Sequence, residues 1–331
     1  MDSFIFALNA VLPIILMVTI GYILKRIGFI DGDMPKKLNR LVFRVFLPVM
    51  VFLNVYNIED MSSIDATFLV YCVCAVVAVV LIAAVPTFLV TDKRDRRGAL
   101  IQSAFRSNYT LIGVPLAASL FGAQGEQTAT VMLAIAVPLF NILAVVVLSV
   151  FDDSGNRINF SKVLLGIIKN PLILGVIAGA VALALRSAFA CIDVNVDILS
   201  IAPISKVLTY LSSLATPLAL IVLGAQFEFS AVSELRREII LGTLMRSLAV
   251  PLMAIGVAYV FFRDNFDGAQ FAVLVALFST PVAVSSVPMA QEMNSDVRLA
   301  GQLVVWTTVA SGITVFLVSF ALSLLGVFPT N

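Results

Sequence analysis

Ser107-Asn108-Tyr109-Thr110-Leu111-Ile112-Gly113-Val114-Pro115 interrupts a long apolar run. Roughly 170 residues further on, Ser279-Thr280-Pro281-Val282-Ala283-Val284-Ser285-Ser286-Val287-Pro288 interrupts another in the same manner. Each stretch sets helix breakers and small polar groups where a helix crossing hydrocarbon would be continuous. A backbone N–H or C=O freed in hydrocarbon costs several kcal/mol unless it is buried in protein or lines a wet cavity. Either break alone reads as well as an ordinary proline kink held by its neighbours. Two at matching positions point to a ligand site near the bilayer midplane.

The rest of the chain places those breaks in a membrane. Of 331 residues, 60% are hydrophobic and 12% charged, and the mean hydropathy is +1.06; soluble domains run at about 45–50% and about 25%. No stretch is long and polar enough for a separate soluble domain, so the fold class is an all-α polytopic membrane protein. A span needs about 20 mainly apolar residues. About ten spans follow, near 4–24, 37–56, 66–90, 98–120, 127–150, 162–186, 204–224, 237–262, 268–290 and 298–326. The first lacks a basic leader and an A-x-A site and is followed by Lys25 and Arg26, so it reads as a retained helix. Asp, Gly and Asn in the short loops read as caps and turns.

Several function classes drop out. The formal net charge of +1 says nothing of partners, and no basic stretch carries interleaved aromatics, which speaks against nucleic acid. The absence of histidine removes the usual metal ligand and neutral-pH proton carrier. Cys72 and Cys74 would point different ways on a helix, and Cys191 stands alone in a loop. They make neither a zinc site nor a disulfide framework and read as small apolar fillers. No metal site, resident cofactor or catalytic set is expected. An intramembrane enzyme would need a nucleophile with its base, or a carboxylate pair, and the spans hold neither.

Basic residues set the orientation. With the N-terminus outside, the inward loops collect Lys25, Arg26, Lys36, Lys37, Lys93, Arg94, Arg96, Arg97, Arg157, Lys162, Arg236, Arg237 and Arg298. The outward loops keep Arg186 and Arg263 with Glu59, Asp60, Asp65, Glu126, Asp193 and Asp197. The positive-inside rule then puts both termini on the non-cytoplasmic side of the cytoplasmic (inner) membrane. The halves, 1–150 and 151–331, are weakly self-similar: Phe46-Leu47-Pro48-Val49 in span two answers Ala215-Thr216-Pro217-Leu218 in span seven. About five spans per half force opposite insertion, an inverted repeat of a kind common in transporters.

Inverted topology brings the two breaks together. The restarting half-helices carry free N–H groups, equivalent to roughly half a positive charge at each end, a setting for a carboxylate or other anion. Asn108, Tyr109 and Thr110 add donors from the first break, and Ser279, Thr280, Ser285 and Ser286 add hydroxyls from the second. Gly113 would let the backbone approach a ligand. Pro115, Pro281 and Pro288 break the helices.

At these residues the chain resembles the auxin efflux carrier family, the PIN-like transporters, and most of all its bacterial organic-acid branch. The likeness covers essentially the whole chain. It rests on Pro13, Gly21-Tyr22-Ile23-Leu24-Lys25-Arg26, Leu38-Asn39-Arg40-Leu41-Val42 and Phe46-Leu47-Pro48 near the N-terminus. Asn108, Gly113 and Pro115 followed by Phe121-Gly122, then Arg246 with Pro251, then Pro281, Ala283 and Ala290 complete it. The resemblance implies ten helices in two inverted five-helix repeats. Helices one, two, six and seven would form a scaffold that dimerises, and three to five with eight to ten a transport domain moving as an elevator. Helices four and nine would cross at a carboxylate substrate such as malate, malonate or an auxin-like acid. The family's crossover asparagine maps onto Asn108; the second break has serines and no asparagine.

Arg44, Arg106 and Arg246 are charged residues well inside spans, some eight or nine residues from the inner end. At about 1.5 Å per residue they lie about 12–14 Å deep. Arg44 and Arg246 read as snorkelling or helix-packing residues. Arg106 lies beside Asn108 and four residues from Gln102 and Thr110; it either senses the anion or lines its inward exit. Sodium coupling, proton coupling and uncoupled transport stay open. The expected function is secondary transport of a small organic anion; the alternative is a ligand- or lipid-sensing module on the same fold.

Overall fold

The computed structural model describes residues 2–57, 65–152, 165, 168–190 and 197–328. Glu59, Asp60, Arg157, Lys162, Cys191 and Asp193 lie outside the described residues. The helices are α1 (Asp2–Arg26), α2 (Met34–Leu41), α3 (Leu47–Tyr56), α4 (Ala66–Val90), α5 (Arg94–Phe105), α6 (Val114–Val150) and α7 (Pro171–Ala190). Then come α8 (Ala202–Gln226), α9 (Ser230–Glu234), α10 (Arg236–Leu244), α11 (Val250–Phe262), α12 (Gly268–Phe278), α13 (Ser286–Glu292) and α14 (Val297–Leu324). No strand occurs among the described residues. Seven helices among them, counting those that continue through a π turn, are long and apolar enough to cross a membrane.

Three helices widen into π turns ahead of a proline: Val42–Phe46 before Pro48, Tyr109–Gly113 before Pro115, and Met245–Ala249 before Pro251. A proline inside a helix supplies no N–H and clashes with the carbonyl four residues back. The wider turn moves that carbonyl aside. Pro251 thus frees the Ser247 carbonyl, which accepts from the Thr314 hydroxyl at 2.9 Å. Asp65, Asp267 and Asp296 cap the helices that follow them, Asp267 in a reciprocal capping box with Gln270.

The expected loop between spans four and five shrinks to a corner. Phe121 (φ −139°) and Gly122 (φ 61°, ψ −149°) interrupt α6. Beyond them the helix doubles back: a Cβ on Gly125 would collide with the Ala117 carbonyl, and the Tyr109 hydroxyl donates to the Ala129 carbonyl at 2.9 Å. A continuous helix would hold residues 109 and 129 about 30 Å apart. The conformation of Gly122 is open essentially to glycine alone.

Small residues set the closest helix contacts. Gly21 of α1 and Gly224 of α8 lie against the Ile221 and Val18 carbonyls. Gly175 and Gly179 of α7 face the Pro48 and Phe52 carbonyls of α3, where an added Cβ would stand at 2.6 and 2.9 Å. This is the small-xxx-small packing of membrane helices, where dispersion at short range replaces the hydrophobic drive. The α12 helix lies deepest: Ala269 and every residue from Phe271 to Phe278 are buried. Exposed Leu81, Val85 and Leu89 on α4, and Val260 and Phe261 on α11, form an apolar exterior suited to lipid.

One end of the bundle is tied by ions. Arg96 reaches Glu238 at 2.7 Å, Glu234 at 3.2 Å and Asp296 at 3.3 Å, and Arg298 reaches Glu228 and Glu234. Partial burial works against the Arg96 charge, but the hydrogen bond to Glu238 and the field of the three carboxylates outweigh it and hold its pKa above the ordinary value. Elsewhere the Tyr56 hydroxyl, at the end of α3, donates to Asp197 at 2.8 Å, and the Arg186 guanidinium stacks over the Tyr56 ring.

Candidate functional site

The two breaks meet. Ser107 and Val282 pair as an isolated antiparallel bridge. The Asn108 N–H donates to the Pro281 carbonyl at 2.8 Å, and the Ala283 N–H donates to the Arg106 carbonyl at 3.0 Å. Each break thus supplies the other with the partners its helix gave up. The Val282 N–H is satisfied by the Thr307 hydroxyl of α14 at 3.1 Å. Past the bridge the first amides of the restarted helix, from Tyr109 to Leu111, have no intrahelical acceptor.

A cavity of about 50 Å³ lies at this crossing. Arg106, Ser107, Asn108, Tyr109, Thr110 and Leu111 line it from the first break, and Ala283, Val284 and Ser285 from the second. Leu47, Met50 and Val51, Asn141, Leu172 and Thr216 close it from other spans. Of the residues expected at a site, Arg106, Asn108, Tyr109, Thr110 and Ser285 therefore share one space. Four others do not line it. Gly113 makes room for the Tyr109 ring and the Ala276 carbonyl. Thr280 bonds back to the Ala276 carbonyl at 2.8 Å, a turn-local bond for an otherwise competing hydroxyl. Ser279 and Ser286 are buried behind the crossing. Pro115 opens α6, Pro281 lends its carbonyl to the bridge, and Pro288 sits in the first turn of α13.

The crossing concentrates buried polar atoms without protein partners: Asn108 Nδ2 and the hydroxyls of Ser107, Ser279 and Ser286. Such groups are few in native proteins and mark water or ligand. Arg106 is 4% exposed. Its guanidinium donates to Asn141 Oδ1 at 2.7 Å and lies against the Met289 sulfur. No carboxylate among the described residues comes within ion-pair distance of it. Sequence reasoning missed Asn141, Met289 and Thr307. Asn141 was the findable one, a lone amide in the apolar run Pro138-Leu139-Phe140-Asn141-Ile142.

Of the two other intramembrane arginines, Arg246 takes the helix-packing form of the expectation rather than the snorkelling one. Arg246 is 1% exposed and turned inward: Nε donates to the Thr280 carbonyl at 2.8 Å, and the two terminal nitrogens donate to the Ala104 carbonyl at 3.0 Å and the Leu277 carbonyl at 2.8 Å. Three freed carbonyls outbid the distant headgroups. Arg44 stays exposed and pairs with Glu292 at the end of α13 at 3.2 Å, alongside Arg40 at 3.4 Å.

A larger cavity of about 320 Å³ opens near Lys25, Lys36 and Arg298, with Gln226 and Gln291 in its wall. It lacks the unpartnered buried donors of the crossing. No cluster of metal-ligating side chains forms among the described residues.

Apolar helices long enough to span, with two breaks that meet around buried polar groups, define a polytopic all-α membrane protein. Residues 6–319 match the membrane transport protein family, and the chain belongs to it, that is, to the PIN-like auxin efflux carriers. An uncharacterized transporter of Methanothermobacter thermautotrophicus is 27% identical over 310 residues, 92% of this chain and 94% of the relative. An uncharacterized transporter of Methanocaldococcus jannaschii is 24% identical over 314 residues, 92% and 95% of the two chains.

Proposed function

We propose that this transporter carries a small organic anion, a carboxylate held at the crossing of the two broken helices. The observation that carries the reading is Arg106: a buried guanidinium with no carboxylate partner among the described residues, lining the same cavity as the unpartnered Asn108 amide. Removing a charge from water costs several kcal/mol unless another charge or good hydrogen bonds offset it. Asn141 offsets part of that cost for Arg106. A carboxylate between Arg106, Asn108 and the free amides of Tyr109 to Leu111 would offset the rest, in the fork geometry that guanidinium prefers. Thr110 and Ser285 supply hydroxyls at its edge.

The cavity of about 50 Å³ holds one or two waters at roughly 30 Å³ each. A carboxylic acid of several carbons enters only when the walls part. Those walls come from spans two, six and seven on one side and spans four, five and nine on the other. That division fits a scaffold of spans one, two, six and seven, dimeric through it, with the remaining spans moving as an elevator. The cavity near Lys25, Lys36 and Arg298 then serves as the cytoplasmic vestibule, with both termini on the far side of the cytoplasmic membrane.

The test is a thermal-stability screen of detergent-purified protein against mono- and dicarboxylates. A ligand at 100 times its Kd adds about 2.7 kcal/mol. A selective, saturable shift from one acid names the substrate class. No shift from any carboxylate overturns the organic-anion reading and moves the weight to a lipid-like ligand or a sensing role.

A further inference from the structure

We propose that Arg246 is the resident cation of the crossing. Its guanidinium fills the group of backbone carbonyls that, in transporters built from broken helices, coordinates a coupling sodium ion, so that no inorganic cation binds there.

Those carbonyls belong to the ends of both broken helices. Ala104 lies in the last turn of α5 and Leu277 in the last turn of α12, while Thr280 lies in the second break itself. A helix C-terminus carries roughly half a negative charge, so two of them present about one. One guanidinium neutralises that sum, and its rigid fork of five N–H donors reaches three carbonyls at 2.8 to 3.0 Å. No acidic side chain among the described residues comes within ion-pair distance of Arg246, so its compensation is entirely main-chain. Sodium at such a place needs the same oxygens, and they are already taken. The tether matters as well. A bound sodium ion leaves with its gradient, whereas Arg246 is covalently fixed in the π turn Met245–Ala249 and keeps its charge in water at any physiological pH. The crossing is therefore held together, and kept electrostatically complete, without a solute cation. Only the consequence for coupling, transport indifferent to sodium, rests on the anion-carrier reading above.

The experiment needs no substrate. The unfolding temperature of the purified protein is measured in sodium chloride and in choline chloride at equal ionic strength, for the wild type and for Arg246→Ala. The wild type should unfold at the same temperature in both salts. Arg246→Ala should unfold several degrees lower in choline and recover a large part of the loss in millimolar guanidinium chloride, or in sodium, while tetramethylammonium does nothing. A saturable, sodium-specific stabilisation of the wild type overturns the proposal. So does an alanine variant that melts like the wild type in choline, or one that no cation restores. If Arg246→Ala does not fold, Arg246→Lys keeps the charge and loses the fork: it should melt below the wild type and ignore sodium, and a lysine variant indistinguishable from the wild type overturns the three-carbonyl role. Because no arm uses a carboxylate, these outcomes leave the anion assignment untouched, and a failed carboxylate screen leaves them untouched.

Discussion

At the scale of single residues, the proposed site rests on Asn108 and Arg106. Asn108 keeps its backbone N–H on the Pro281 carbonyl whatever its side chain, so Asn108→Ala should fold normally and lose at least about tenfold in carboxylate affinity, the magnitude of one charge-assisted hydrogen bond. Isothermal titration or the stability screen checks this, and unchanged affinity in a folded variant would sink the crossing as the site. Arg106 and Arg44 differ in the same currency. Arg106→Gln should weaken binding far more than Arg44→Gln, because Arg44 spends its charge on Glu292 at a partly exposed pair that is worth little. Equal small effects on both would assign Arg106 to packing. Asn108 and Arg106 were legible in the sequence because a donor in hydrocarbon always calls for an account. The second break was harder: of its four hydroxyl residues only Ser285 lines the cavity, and sequence alone does not say which way a short side chain turns after a helix has unwound.

At the scale of elements, backbone chemistry decides more than hydropathy. The corner at Phe121-Gly122 splits what would otherwise be one helix of 37 residues. Gly122→Ala should strain a φ of 61° and ψ of −149° and cost about 1–3 kcal/mol, read as a lowered unfolding temperature. An unchanged value would mean that the corner relaxes freely. Close helix approach is the second device. Gly175→Leu should push α7 away from the Pro48 carbonyl and destabilise the protein more than Leu174→Ala, since Leu174 faces outward; cysteine cross-linking between α3 and α7 would follow the separation. Seven of the helices were readable from apolar runs of about 20 residues. The π turns ahead of Pro48, Pro115 and Pro251 were not, because a proline announces a lost hydrogen bond without saying how the helix absorbs it.

At the scale of the whole molecule, charge networks tie spans that the sequence keeps far apart. Arg96→Ala leaves the buried Glu238 without its partner and should cost about 3 kcal/mol; a double variant, Arg96→Met with Glu238→Leu, should regain most of it. An Arg96→Ala protein that melts like the wild type would contradict the network. At Asp197, hydrogen bonds from the Leu199 N–H and the Tyr56 hydroxyl, with the Arg186 charge nearby, hold the carboxyl below its ordinary pKa. A depressed folded value means that its contribution is complete above the unfolded value of about 3.9 and is lost as pH falls through the folded one. Asp197→Asn should therefore flatten the stability loss below about pH 4, and an unchanged acid limb would remove Asp197 from the account.

By itself the sequence determined the polytopic all-α membrane class and the two breaks, and it singled out Arg106 and Asn108 as polar groups that need partners. These follow from local rules, because hydrocarbon tolerates no unpaired backbone and few charges, and each exception is visible in the chain. Only the tertiary structure decided that the breaks satisfy each other through Ser107 and Val282. It alone showed that Asn141 and Thr307 complete them, and that Arg246 turns inward rather than to the headgroups. Those outcomes depend on which carbonyls and hydroxyls stand within about 3 Å of one another, a matter of packing between segments up to about 175 residues apart that no local pattern encodes.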